Sequence, residues 1–406
     1  MSSRLEEARK SMQRYMMAIT ALLVVGLVGC ASKEKTGMKI YVQQGLYDKA
    51  IDQGQQELAK NPDDGDTHYF LGAAYFGKDQ ELSTEDAAYG DSAQVFLEKA
   101  FQHFTRAKEL AESSWGLSAD DNIVAMYARH FNRGVIATKN GDHVTAAMEY
   151  KLATVADPEN YNGYYHRAGA LWQLAEEARE AGEEEDFDEI TGLIVTSLDQ
   201  VLDLEPDDKD VTVAAYQTKG DVLYERGDLA EAQEAYRRAV QLDPENYKMM
   251  TTMAERFYNE QDWDNAAAYF QDALSVKERL NLIDSDDAAI YSALGNTLSK
   301  LERRQEAIAA YTKVLDLTPT DQATMYNLMV THYKAGEDAE KNGDMPTAKQ
   351  HYNQAIGIGD QLIGIDAKRP EYWQVRGLCK RGVGDFAGAA RDLKEFQDLR
   401  ASAGGR

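Results

Sequence analysis

The sequence predicts an all-α chain built from repeated pairs of helices, and three observations carry that prediction. Six of the seven prolines (Pro62, Pro158, Pro206, Pro244, Pro319 and Pro370) each follow an apolar run with helical spacing. Proline there ends a helix without spoiling its interior, because it lacks an N–H donor and clashes with the preceding turn. First-helix positions recur at intervals of 34 residues, from His130 to Tyr164, from Tyr216 to Met250 and from Tyr291 to Met325. Small and large side chains also alternate in step. Gly220, Ala232 and Ala239 leave room for two helix backbones to approach, while Tyr216, Leu223 and Tyr236 fill the space beside them.

Taken in order, the chain opens on an address. Arg4, Arg9, Lys10 and Arg14 form a basic leader, and Tyr15 to Gly29 is uncharged and mostly apolar. That stretch falls short of the roughly 20 residues that span a bilayer and suits the apolar region of a signal peptide. It ends in Leu27-Val28-Gly29-Cys30, which resembles the bacterial lipobox. The resemblance implies a signal peptide over 1–29, lipid attachment at Cys30, and a short polar tether completing 30–37. Ala31 follows the cysteine, and no aspartate there signals inner-membrane retention. By the same resemblance the expected location is the bacterial cell envelope, anchored in the outer membrane and facing the periplasm. Several acyl chains hold a protein on a membrane where one is marginal. Cys379 is then the one remaining cysteine, and no disulfide is expected.

The repeats begin near Met38. Asp157-Pro158-Glu159-Asn160-Tyr161 returns as Asp243-Pro244-Glu245-Asn246-Tyr247. Between such markers each unit has two helical faces, as in Tyr216, Lys219, Gly220, Leu223, then Ala232, Tyr236, Ala239, Pro244. Tyr291, Leu294, Gly295, Leu298, Ala307, Tyr311 and Pro319 repeat it most fully, and Trp373, Gly377, Ala389 and Leu393 make the last unit. Pro346 instead follows Asp344, a capping residue with proline in the first helical turn. The pattern resembles the tetratricopeptide repeat, W-x2-L-G-x2-Y, A-x3-F-x2-A, P. That resemblance implies a right-handed helical-hairpin solenoid of about nine units over 38–400, followed by a flexible tail at 401–406. Insertions are expected to lengthen two hairpins, at 175–189 and 334–345.

Function is read from surface and charge. The chain carries 69 acidic and 44 basic residues, a net charge of −25, which argues against nucleic acid as a ligand. In a tetratricopeptide stack the first helices line the concave side, and residues one step beyond the packing positions face it. Here these are Tyr69, Phe131, Tyr165 and Tyr326, with Phe76, Trp172, Tyr224, Tyr258 and Tyr333 further along. Aromatics give rigid contact area at low entropic cost, so they suit capture of peptides or proteins. The lysine, asparagine and arginine set that clamps a C-terminal carboxylate in this family is absent, since its places hold Gln217, Asp221, Thr251, Glu255, Ser292 and Asn296. A basic last unit, including Lys380 and Arg381, suggests self-association with an acidic body.

The seven histidines are scattered, with His68 and His130 in aromatic packing positions, and Cys379 lacks a zinc-spaced partner. No metal site, cofactor or catalytic residue is expected, and the chain is not expected to be an enzyme. The expected function is a membrane-anchored periplasmic scaffold that joins proteins in envelope assembly, secretion or cell-wall enzyme regulation. The alternative is a glycan-binding surface lipoprotein of a nutrient uptake system.

Overall fold

The computed structural model describes residues 32–110 and 116–403. The leader, Cys30 and Ala31 lie outside the described residues, as do 404–406 of the expected tail. The described residues form eighteen α-helices and one short 3-10 turn, with no strand among them. They divide into two units, Met1–Pro206 and Asp207–Arg406.

The first unit holds α1 (Lys33–Gln43), α2 (Tyr47–Leu58), α3 (Gly65–Glu81), α4 (Tyr89–Glu109), α5 (Gly116–Lys139), α6 (His143–Ala156), α7 (Tyr161–Ala181) and α8 (Glu184–Asp203). The second holds α9 (Lys209–Glu225), α10 (Leu229–Leu242), α11 (Tyr247–Asn259), α12 (Trp263–Arg279), α13 (Ala288–Lys300), α14 (Arg304–Leu317), α15 (Gln322–Lys341), α16 (Met345–Ile365), α17 (Pro370–Val383) and α18 (Phe386–Ala403). Each odd helix packs on the even one that follows, giving nine hairpins. The all-α, repeated-hairpin expectation is therefore met, with the expected number of units.

The same chemistry starts many of the helices. Side chains of Asp64, Asp142, Asn160, Asp208, Asn246, Asp262, Asp321 and Asp344 each accept from a backbone N–H of the first turn. Ser32 does so for α1, so 33–37, expected as a polar tether, is instead helical. The expected tail likewise begins as helix, since α18 runs to Ala403. Pro370 opens α17 in its first turn rather than closing α16, a use proline's fixed φ permits.

Eight hairpins turn in one way, through a left-handed residue and a backbone bond that reaches back five residues. At Gly227 (φ 83°) the N–H of Asp228 donates to the carbonyl of Leu223 at 2.8 Å. At Glu302 (φ 60°) Arg303 donates to Leu298 at 2.9 Å, with a side chain where glycine would be unstrained. Gly227→Ala is expected to lower stability by about 1–2 kcal/mol, and Glu302→Gly to leave it level or slightly raised. Urea midpoints of the full chain check both, and the reverse order would contradict the assignment of strain.

The hairpins close on one recurring contact. A Cβ built on Gly134, Gly220, Gly295 or Gly336 would sit 2.5–2.7 Å from the tyrosine sixteen residues on, namely Tyr150, Tyr236, Tyr311 or Tyr352. Gly72 meets Phe104 in the same way, across the longer α3–α4 connection, at 2.8 Å. The ring lies flat in the space the missing side chain leaves, which explains the size alternation in the sequence. In the last hairpin the buried aromatic is Tyr372 and not Trp373, whose indole N–H reaches the carbonyl of Ala367 at 2.8 Å.

Two hairpins are long, as the insertions predict. α15 and α16 have 20 and 21 residues, seven more each than α13 and α14, with 13 and 14. The sequence reading counted only the extra seven before Ala348, and the structure adds a second seven within α16. α7 and α8 have 21 and 20. No described helix is long and apolar enough to cross a membrane.

Candidate functional site

The expected groove aromatics are all half-buried except Phe76, which is buried in the core of the first unit. Its place toward the C-terminal end of α3 turns it inward, so it leaves the candidate set. In the first unit Tyr69 accepts from Asn122 Nδ2 at 3.3 Å and leans edge-on to Phe104. Phe131 stacks on Tyr127 at 5.2 Å and meets His166 edge-on at 5.0 Å, and Tyr165 is also edge-on to His166, at 6.0 Å. Trp172 lies two turns beyond Tyr165 on α7. In the second unit Tyr258 is edge-on to Trp263, and Tyr333 donates to Glu337 at 2.6 Å.

Two candidates line clefts. The first cleft, of about 300 Å³, lies where α15 and α17 begin and is lined by Gln322, Ala323, Tyr326, Asn327, Asp366, Arg369 and Tyr372. Asp321 fixes the start of α15 by accepting from Ala323 N and Thr324 N at 3.2 and 3.3 Å. From there Gln322, Ala323, Tyr326 and Asn327 share one helical face. The Tyr326 ring meets Tyr372 at 5.7 Å, and the guanidinium of Arg369 lies over Tyr372 at 5.9 Å while pairing with Glu371 at 2.9 Å. Burial raises the pKa of the Tyr326 phenol, and the Glu371 charge adds to it, so the hydroxyl keeps its proton. Asn327 donates to Asn296 Oδ1 at 3.3 Å, which also accepts from Tyr311 at 2.7 Å. The cleft wall is thereby pinned to the preceding hairpin.

The second cleft, of about 350 Å³, lies beside the α9–α10 turn. Tyr224, Leu229, Gln233, Tyr236, Met253, Arg256 and Phe257 are among its lining residues. Arg256 stacks on Tyr224 at 4.3 Å and donates to Asp221 at 2.9 Å and Glu225 at 3.3 Å. Burial raises the pKa of the Asp221 carboxyl, against the opposing pull of Tyr236 and Arg256. Asp221 is therefore held within the fold by these partners.

Within the second unit Tyr224, Tyr258, Tyr326 and Tyr333 do not share one site. Tyr326 and Tyr224 belong to separate clefts, and Tyr258 and Tyr333 line neither. The sequence reading missed Arg256, Asn327, Arg369 and Tyr372. Arg256 was findable, since it lies one repeat plus one residue after Asp221. Reading Pro370 as a helix stop hid the other side of the first cleft. Two basic residues of the last hairpin are engaged within it: Arg376 and Lys380 both pair with buried Asp392, at 2.7 and 3.0 Å.

The sequence reading also left unseen how the histidines and carboxylates meet. His130, Asp79 and Glu149 are buried together, with Nδ1 of His130 at 2.7 Å from Glu149 and Nε2 at 3.2 Å from Asp79. Among the described residues no group of three or more such side chains is arranged to hold a metal.

Residues 213–246 and 248–320 match family models described as tetratricopeptide repeat. The chain thus carries tetratricopeptide repeats. Over 137 residues it is 32% identical to the peroxisomal targeting signal receptor of Candida albicans, covering 33% of this chain and 21% of that protein. Over 187 residues it is 22% identical to the DnaJ homolog subfamily C member 3 homolog of Dictyostelium discoideum, covering 42% and 36%. The chain matches well under half the length of these curated relatives. Among solved structures it resembles the C-terminal part of a TPR repeat-containing protein from Cytophaga hutchinsonii (18% identity, TM-score 0.39, 66% of this chain and 95% of that one). It also resembles YrrB, described as a TPR protein with an unusual peptide-binding site (15%, TM-score 0.35, 50% and 92%).

Proposed function

We propose that this chain is a membrane-tethered scaffold of the bacterial envelope that holds partner proteins through an extended segment lying in the cleft between α15 and α17. The observation that carries the reading is the side-chain set at Tyr326. Gln322 and Asn327 offer amides that both donate and accept, matching the N–H and C=O of an extended peptide. Tyr326 and Tyr372 supply rigid aromatic area beside them. The curated relative from Candida albicans is named a receptor for a targeting signal, which is in keeping with a peptide ligand.

The tether rests on Leu27-Val28-Gly29-Cys30, and the outer-membrane, periplasm-facing location rests on Ala31. The tasks that fit are envelope assembly, secretion or control of cell-wall enzymes. The paired amides of Gln322 and Asn327 beside Tyr326 favour a protein partner over a glycan, because they match a peptide backbone. A second copy is the weaker partner, because Lys380 and Arg376 are already paired within the last hairpin.

Chemical crosslinking in native envelopes with the anchor intact tests the reading. Wild type should recover a reproducible set of proteins, and Tyr326→Ala with Asn327→Ala should lower their yield at least tenfold, about 1.4 kcal/mol. Unchanged recovery would remove the cleft from the mechanism. Cys30→Ser should leave an unprocessed chain without lipid label, and normal labelling would refute the tether.

A further inference from the structure

Three hairpins carry a polar pair at one repeat-equivalent place, buried throughout except for the half-buried His103. The residue four before the packing glycine is His68, His130 or His332, and the residue before the packing aromatic is His103, Glu149 or His351. Each pair meets between its two helices, with Nδ1 to Nδ1 at 2.9 Å for His68–His103 and 3.1 Å for His332–His351. His130 Nδ1 lies 2.7 Å from a Glu149 carboxylate oxygen. Elsewhere the same two places hold Tyr216 and Ala235, Met250 and Tyr269, or Tyr291 and Ala310. The hairpin therefore closes without histidine, and the histidine pairs add something the packing does not require.

Hydrogen bonding fixes the protons of both pairs. His68 Nε2 faces the carbonyl of Pro62 at 2.9 Å, so it carries the hydrogen and Nδ1 accepts from His103. His351 Nε2 accepts from Gln305 at 3.1 Å, so its Nδ1–H donates to His332. Both rings of each pair are neutral in this arrangement. A further proton on the accepting nitrogen would set N–H against N–H, while one on His103 Nε2 would keep the bond but place a charge between the helices, which burial, His68 and Lys99 all oppose.

No carboxylate is among the groups that act on His103 or His332, and those nearby have other partners. Lys99 bears on His103 with the same sign, and Tyr75 stacks on its ring. Around Pro62, Asp63 pairs with Arg106, Asp64 with Lys35, and Glu57 accepts from Asn61. Facing His332 and His351, α14 offers Gln305, with Arg304 turned to Asp338. On α15 and α16, Glu337 and Glu340 accept from Tyr333 and Tyr352. From α17, Cys379 is buried as a thiol, its pKa pushed up to about 12 by burial and then by the Glu337 charge.

We propose that the His68–His103 and His332–His351 pairs are acid-released latches, holding α3–α4 and α15–α16 shut at neutral pH and letting each hairpin open locally as the pairs are protonated. The α5–α6 hairpin, with Glu149 in place of the second histidine, lacks this response. Burial lowers the pKa of His103 and His332 from 6.5 to about 4, with the partner histidine acting in the same direction. A lowered folded pKa means that the contribution is full above pH 6.5 and is lost as pH falls toward 4. For one such histidine the opening equilibrium shifts about twentyfold between pH 7 and 5. Because α15 also carries Tyr326 and Asn327, acid opening would loosen the cleft; that consequence rests on the peptide-binding reading, while the latch itself does not.

Hydrogen exchange of the full chain, expressed as protection factors at pH 7 and 5, tests the latch without a ligand. Amides of α3–α4 and α15–α16 should lose about twentyfold in protection relative to α13–α14, which has Tyr291 and Ala310 in these places. The repeat's own apolar pair, grafted as His332→Tyr with His351→Ala, should abolish the loss in α15–α16 alone. An equal loss in the grafted chain, or none in wild type, would overturn the proposal. Should the graft fail to fold, NMR titration of wild-type His332 decides: a midpoint well below 6 supports the latch, and one at 6.5 or above rejects it.

Discussion

Glu149→Ala should destabilise the first unit by about 3–5 kcal/mol, the cost of breaking a buried charge pair from one side. Glu149 is buried and accepts from Tyr89 at 2.9 Å on α4, as well as from His130 on α5. Removing it leaves His130 with Asp79 and strips the Tyr89 hydroxyl of its acceptor. Burial alone works against a charge on His130, but Asp79 and Glu149 outweigh it and raise its pKa above 6.5. The contribution of that charge is therefore full below pH 6.5 and is lost as pH rises through the raised value. Urea unfolding, with hydrogen exchange reporting on α5–α6, should show the loss at pH 6, and the variant should depend less on alkaline pH. A change under 1 kcal/mol would mean that the cluster is neutral or open to water.

Phe104→Ala should cost about 3–5 kcal/mol, as deletion of a fully buried ring does in a closely packed core. Its partner tests the geometry more sharply. Gly72→Ala should cost about 1–3 kcal/mol by overpacking, because the new Cβ would stand 2.8 Å from the Phe104 ring. On a Phe104→Leu background the same alanine should cost much less. The last hairpin already pairs Gly377 with Leu393, where a built Cβ would meet the leucine at 3.1 Å. Additive effects in the double variant would show that the two residues do not share one space.

Much of the fold was legible because it rests on few residue types. Gly220 with Tyr236 and Gly295 with Tyr311 are visible as spacings, and the contact follows from size alone. Gly336 was not legible: the inserted residues moved it seven places from where a 34-residue period expects it. Trp373 was taken for the packing aromatic because it matched the pattern's letter, while Pro370 set the true phase and buried Tyr372. The clefts were only half visible. Tyr326 could be placed on a face, but the wall opposite it depends on which residue of α17 turns inward. Of the histidines only His68 and His130 were read as packing residues, and the meeting of His68 with His103 and of His332 with His351 needed the register of both helices.

The seven-residue extension of both arms of α15–α16 has a consequence for how such a chain can vary. At about 100° per residue, seven residues complete nearly two turns, so a side chain beyond the insertion returns to within about 20° of its former bearing. Five would swing it by about 140° and present a different stripe to the neighbouring coil. Length polymorphism in these arms is therefore quantised. Additions in sevens slide the contact along the rod and keep its azimuth, so an interior segment can grow without any compensating substitution.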